Sequence, residues 1–424
     1  MAWIGRRAGA LLGVAALMMA TAACGGGDTG NDDPNAKVTL SYAVWDKNQV
    51  PAMQQLATAF TAENPNITID VQLTPWETYW TKMKAAATGG AAPDVFWMNG
   101  PNYQLYATNG VLAPLDEKIA ADKVDLSSYP QALIDLYTVE GKHYGLPKDF
   151  DTVGLWYNKE LFDAAGVGYP DATWTWDTFK QAAAKLTDKS KGQYAIGANL
   201  SSAQEYQYNT IFQAGGSVIS ADGKKAGYAD PATIEGLKFW TDLIKDGYSP
   251  DLKTMTDTVP LNLFESGKTA MYYGGSWNVA EFTANEYTKT RVAAAPLPKG
   301  VKSATVIHGL VNVVSAKSAH PDAAWKFVKF LGGRTAAEQL GKSGVIPAYN
   351  GTQAGWAAAH PELNLQAAFL DQVPNAVAYP ISRNTAAWQE LETTYLTPAW
   401  NQQKDVAAAA TELAKAMDES LAKE

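Results

Sequence analysis

Residues 141–160 read GKHYGLPKDFDTVGLWYNKE, and the placement of this stretch decides how the rest of the chain is arranged. Two short, aromatic-bearing apolar segments flank a polar insert, Lys148-Asp149-Phe150-Asp151-Thr152. Tyr144–Pro147 has the features of the end of one β element and Val153–Tyr157 those of the start of another, because β-branched and aromatic residues suit a pleated surface. Pro147 argues against a long helix here. An extended crossing that carries acids between two α/β halves places them in a cleft between domains, a common location for small-molecule sites. The competing reading is a loop whose two aspartates cap turns or face water.

Towards the N-terminus, Val38, Leu40, Tyr42 and Val44 alternate as one face of a strand. Pro51 opens a helix carrying Met53, Leu56, Ala57 and Phe60, and Ile67, Ile69, Val71 and Leu73 form a second strand. That order predicts a βαβ unit with parallel strands. A helix over 74–90 and a buried strand, Val95-Phe96-Trp97-Met98, follow. Open α/β sheets bind ligands outside the carboxyl ends of their strands, which puts Asp46, Trp97 and Asn99 on one rim. Core packing is the alternative role for Trp97.

Towards the C-terminus, 158–166 reads as a short helix, Thr175 as the N-cap of another, and 194–200 as a strand. Glu205, Tyr206, Tyr208 and Gln213 fall on a loop and helix. Met271-Tyr272-Tyr273 is a strand ended by Gly274-Gly275-Ser276-Trp277, where a tryptophan after a double glycine is better placed for ligand stacking than for deep packing. Residues 306–314 read as a strand pair around a polar insertion at His308-Gly309. Val406, Ala410, Leu413, Met417 and Leu421 make a helical packing stripe.

The chain has 424 residues, 46% of them hydrophobic, which predicts two domains with real cores. Its 14 Trp and 20 Tyr are open to two uses, flat stacking surfaces for a ligand or burial in large cores. Arg6-Arg7 and the apolar run 8–20, closed by Thr21-Ala22-Ala23-Cys24, form an export leader too short to span a bilayer comfortably. The residues around Arg6-Arg7 match twin-arginine export poorly. Residues 25–36 (GGGDTGNDDPNA) are a polar tether. The formal charge is −9, and without the leader's two arginines it is about −11. No basic run or basic-aromatic array is present, which argues against nucleic acid and against docking to anionic lipid by charge. The four histidines are scattered, none at metal-ligand spacing, and no nucleophile-elbow, phosphate-loop or dinucleotide motif occurs. Asp149 and Asp151 on one strand point the same way, which suits hydrogen bonding to hydroxyls better than a glycosidase pair facing across a sugar.

The leader resembles the lipobox of bacterial lipoproteins, with Cys24 as the lipidated residue and Thr21 where an aliphatic residue is usual. From Val38 on, the chain resembles the carbohydrate-binding proteins of ABC importers, the group of the maltose-binding and glycerol-phosphate-binding proteins. The resemblance is carried by VTLSYAVWD, GGAAPDVFWMNG, GVLAPLDE, YGLPKDFDTVGLWYNKELFDAAGV, TWTWDTF, FESGKTAMYYGGSW and AWKFVKFL, in that order. It implies a two-lobed α/β fold of periplasmic-binding-protein type II whose hinge has three crossovers, near Asp151, Pro296 and Gly332. The implied division is a signal peptide over 1–23, a lipid-anchored tether over 24–36, lobe 1 over 37–151 and 298–332, and lobe 2 over 152–297 and 333–424.

Position by position, the resemblance implies ligand contacts from Asp46, Glu77, Trp97, Asn99, Asp149, Asp151, Tyr206, Tyr208, Trp277, His308, Gly309 and Arg383, with Glu205 beside them. It implies no catalytic residue, cofactor or metal. The expected partners are a carbohydrate, of one ring or several, and the permease subunits with their cytoplasmic ATPase. The expected setting is a monomer anchored through Cys24 on the extracellular face of the cell membrane. The alternatives are a binding protein of the same fold for a glycerol phosphodiester or polyamine, and a secreted glycan-degrading enzyme.

Overall fold

The computed structural model describes residues 37–424. The expected signal peptide, Cys24 and the tether over 24–36 lie outside the described residues. The strands are β1 (Val38–Val44), β2 (Ile67–Leu73), β3 (Val95–Asn99), β4 (Thr138–Val139), β5 (Lys142–His143), β6 (Gly145–Asn158), β7 (Met271–Gly275), β8 (Val292–Ala295), β9 (Thr305–Val314), β10 (Ile346–Pro347) and β11 (Ala376–Ala378).

The opening βαβ unit forms as the alternation predicts. β1 and β2 pair in parallel from Val38↔Ile67 to Val44↔Leu73, so both strands end at the same edge. The intervening helix, Val50–Glu63, has Pro51 in its first turn and buries Met53, Leu56, Ala57 and Phe60 against the sheet. β3 pairs parallel to β1 and antiparallel to β9. It lies between two strands, and all five of its residues are buried.

The decisive stretch is one strand of 14 residues rather than two segments around an insert. Its first half runs antiparallel to β9, and its second half runs antiparallel to β7 and β8. The proline and charged residues that resemble a loop are absorbed by a register shift between Pro147 and Asp149, which leaves Lys148 as the extra residue. β9 is likewise continuous: Leu310–Val314 pairs with β3, while Thr305–Ile307 pairs with β11. β6 and β9 approach closely where they cross. A Cβ on Gly309 would stand 2.3 Å from the Asp149 carbonyl oxygen, so only glycine fits.

Apolar packing separates into a core around β1–β3 and another around β7 and β8. The first unites Tyr42, Phe60, Trp97, Phe327 and Leu340, and a satellite cluster unites Tyr79, Phe96 and Tyr103. The second unites Trp156, Phe179, Tyr206, Trp240, Tyr273, Trp388 and Trp400. β6 passes between these cores from Leu146 to Phe150, and β9 from Ile307 to Leu310. The second passage therefore lies inside β9 and not at Pro296. Residues 299–304 stay with the second core, since the Lys299 and Lys302 amides donate to the Trp174 and Gln213 carbonyls at 3.0 and 3.1 Å. The third passage falls between Val345 and Ile346 instead of at Gly332. Ala336 and Leu340, on the helix Arg334–Gly341, remain packed in the first core.

Residues 194–200 do not form the expected strand. A single bridge joins Tyr194 to Thr269, and a turn from the Asn199 amide to the Gly197 carbonyl breaks the extended path. Thr175 does cap the helix Trp176–Leu186, in a reciprocal pair with Thr178.

Candidate functional site

The strand crossing gathers the polar groups that lie far apart in sequence. Asp151 on β6 stands opposite His308 on β9, with Oδ2 3.8 Å from Nδ1. His308 Nε2 accepts the Gly100 amide at 3.0 Å, the first N–H of the helix Gly100–Thr108. An acceptor at Nε2 leaves the proton of a neutral imidazole on Nδ1, aimed at Asp151. Burial pushes His308 down to about 3, so the ring stays neutral. Tyr379 covers its face at 4.7 Å. Asp151 accepts from Gln204 Nε2 at 2.6 Å. Burial, with the Asp149 charge second, pushes its carboxyl well above the usual range.

A second network lines the first-lobe side. Asp46, in the turn after β1, accepts the Asn48 amide and Gln49 Nε2, each at 2.8 Å. Gln49 Oε1 accepts from Lys148 Nζ at 2.7 Å, and Lys148 pairs with Asp149. Asp149 also accepts the Leu310 amide at 3.0 Å. Its carboxylate is therefore held by contacts within the fold. Trp97, expected on the rim, is fully enclosed: its indole N–H donates to Tyr42 Oη at 2.6 Å, and Lys148 Nζ lies 4.2 Å from its ring. Asn99 is buried, with Oδ1 accepting from Asn102 at 2.9 Å.

Where Trp97 is closed off, another aromatic surface opens. Trp45 contacts Trp97 at 5.2 Å and Trp76 at 5.5 Å. Trp80 and Tyr79 complete the cluster. Exposure rises along this row, from none at Trp97 to 50% at Trp76. Trp45 precedes Asp46, and Trp76 precedes the exposed Glu77, so each ring has a carboxylate beside it. Asp46 and Glu77 were expected at the site, and their neighbours Trp45 and Trp76 were not. The signal was present in the two W-acid pairs that follow β1 and β2, whose parallel register makes them neighbours. On the opposite core, Trp277 is half-buried at the start of the helix Asn278–Ala284. Its indole lies over Gly275, where a Cβ would meet ring atoms at 2.0 Å, which gives the double glycine its purpose.

The remaining residues divide. Tyr206 is buried in the second core, 5.0 Å from Trp240. Tyr208 donates to both oxygens of Glu392 at 2.9 Å. Tyr228 donates to the same carboxyl, which burial pushes up to about 8. Glu205 pairs with Ser202 and accepts from Tyr272 Oη at 3.0 Å, and burial pushes it up to about 7. Arg383 is separate from this group: it donates to the Glu424 carbonyl at 2.9 Å and pairs with Glu140 at 3.5 Å. Among the described residues, no group of three or more His, Cys, Asp or Glu could hold a metal ion.

Residues 46–338 match the family described as bacterial extracellular solute-binding protein. The maltooligosaccharide ABC transporter solute-binding lipoprotein of Streptococcus pneumoniae is 27% identical over 353 residues, 80% of this chain and 79% of that protein. The galactooligosaccharide-binding protein of Bacillus subtilis is 26% identical over 328 residues, 75% of this chain and 74% of that protein. Among solved structures, an ABC substrate-binding protein from Listeria monocytogenes in complex with cycloalternan superposes with a TM-score of 0.85. The identity is 26%, and the match covers 91% of this chain and 99% of that one.

Proposed function

We propose that this chain, which belongs to the bacterial extracellular solute-binding protein family, captures a carbohydrate between its two lobes and hands it to an ABC permease for import. The observation that carries the carbohydrate reading is the pairing of half-open tryptophans with carboxylates at the strand ends, Trp45-Asp46 and Trp76-Glu77. An indole face covers the apolar C–H side of a pyranose, while carboxylates and amides bond its hydroxyls. Trp277 offers a like surface from the other lobe, and Asp151 sits at the crossing between them. The relatives named for oligosaccharides support the same class.

In this reading, lobe 1 comprises the core of β1–β3 and lobe 2 the core of β7 and β8, hinged at the three passages. Closure would desolvate the site and present the permease with a ligand-bound shape. Of the expected contacts, Asp46, Glu77, Asp151 and Trp277 remain candidates for direct contact. Trp97 backs Trp45, and His308 and Asp149 stand beside Asp151 and Lys148, while Tyr206 and Tyr208 belong to the second core. Binding without turnover is supported by the description of the family as solute-binding proteins and by the commitment of Asp149 to Lys148 and the Leu310 amide. Attachment to the membrane would be through lipidated Cys24, and among the described residues no helix is long and apolar enough to cross a membrane.

Calorimetric titration of residues 37–424 against sugars, polyamines and glycerol phosphodiesters tests this. One-to-one binding of a sugar recovered intact supports the proposal. Heat from only the polyamines or phosphodiesters overturns the substrate class, and sugar cleavage that Asp151→Asn abolishes overturns the binding role.

A further inference from the structure

We propose that Asn48 on one lobe and Glu281 on the other form a clasp across the cleft mouth that sets ligand affinity without touching the ligand. The inference rests on the capture reading above. Asn48 lies in the turn after β1, two residues beyond Asp46. Glu281 lies on the helix Asn278–Ala284, which starts immediately after Trp277. The two candidate binding surfaces therefore carry the clasp on their own edges.

Asn48 Nδ2 donates to Glu281 Oε2 at 3.1 Å. The amide is held for this role, because the Asn48 N–H and Gln49 Nε2 both bond the Asp46 carboxylate at 2.8 Å and fix the turn. The same helix meets the first lobe again at Gly344, where φ is +92° and a Cβ would lie 3.1 Å from that of Ala280. The Asn48–Glu281 bond joins the two cores away from the crossing of β6 and β9, so in the capture reading it is made when the mouth is shut and lost when it opens. Any group that favours only the closed state raises apparent affinity by the same factor.

The test is amide hydrogen exchange on the full chain, followed by titration of maltotriose. Asn48→Asp sets a like charge against Glu281 and should raise exchange of peptides covering 45–50 and 278–285 about three- to tenfold, with the same factor lost in affinity. Glu281→Gln alone should change little, since its amide oxygen can still accept from Asn48. Asn48→Asp with Glu281→Gln should recover the parent values, since the Gln amide donates to the new carboxylate. Parent-like exchange in Asn48→Asp, or no recovery in the double variant, overturns the clasp. Exchange that responds while maltotriose gives no heat retains the clasp and instead counts against maltotriose as cargo.

Discussion

Trp76→Ala separates a stacking surface from an aromatic cluster that merely packs. A tryptophan side chain presents up to about 250 Å² to solvent. Trp76 keeps 50% of its surface open. A pyranose on its outer face covers about half of what remains, on the order of 60 Å². At about 25–30 cal/mol per Å², that contributes roughly 1.5–2 kcal/mol, or about a 10- to 30-fold loss of affinity on truncation. The covered half of the ring rests on Trp45 and Trp80, so some fold stability is lost as well, and the thermal midpoint must be recorded beside the titration. The assay is calorimetry with the tightest-binding member of a series of gluco- and galacto-oligosaccharides, repeated with its shorter homologues. Trp76 stands at the open end of the row that begins at enclosed Trp97. The loss should therefore be large for the longer sugars and small for the shortest. Parent-like affinity for every length, in a protein that is still folded, would refute the stacking argument. A uniform loss across lengths would place Trp76 beside the innermost ring instead of a distal one.

Other outcomes follow from the same geometry. Gly309→Ala forces a Cβ to 2.3 Å from the Asp149 carbonyl, so β6 and β9 must part at the hinge; a fall of several degrees in the melting midpoint is expected, and an unchanged midpoint would contradict the crossing. Arg383→Ala should leave sugar affinity within about twofold, because the guanidinium is held by Glu140 and the Glu424 carbonyl; a tenfold loss in titration would return it to the site. Glu392 is raised from 4.5 to about 8 and Glu205 from 4.5 to about 7, so the stability these buried acids lend is complete below about 4.5 and is lost as pH rises through those values. Glu392→Gln should therefore flatten the upper part of the decline in melting temperature on the alkaline side of neutrality, and a slope equal to the parent's would count against it. His308 runs the other way, from 6.5 down to about 3, and its share of stability is lost only as pH falls below the ordinary histidine range.

The parts that were legible in the sequence are those whose physics is local. The β1–helix–β2 unit could be read because alternation at Val38–Val44 and helical spacing at Met53–Phe60 are set by the covering of one face. Thr175 could be read because a cap needs only the residue three positions on. β6 could not be read as one strand, since Pro147 and Lys148 look like a break. What makes them tolerable is a bulge, together with Gln49, Asp149 and Leu310, which satisfy a buried charge from distant segments. Trp97 was misplaced for the same reason. Its position at a strand's carboxyl end is a sequence fact, but its enclosure depends on β9 arriving from more than two hundred residues away. Asp151 and His308 were each visible as polar residues within apolar runs, yet neither run shows that the imidazole stands between a helix N-terminus and the crossing acid. The hinge therefore reads as one unit. Gly309 lets the strands touch, His308 ties the crossing to the helix Gly100–Thr108, and Gln204 holds Asp151 from the second lobe. A ligand that moved Asp151 would pull on both lobes at once, which is how a contact at the crossing can be converted into closure at the mouth.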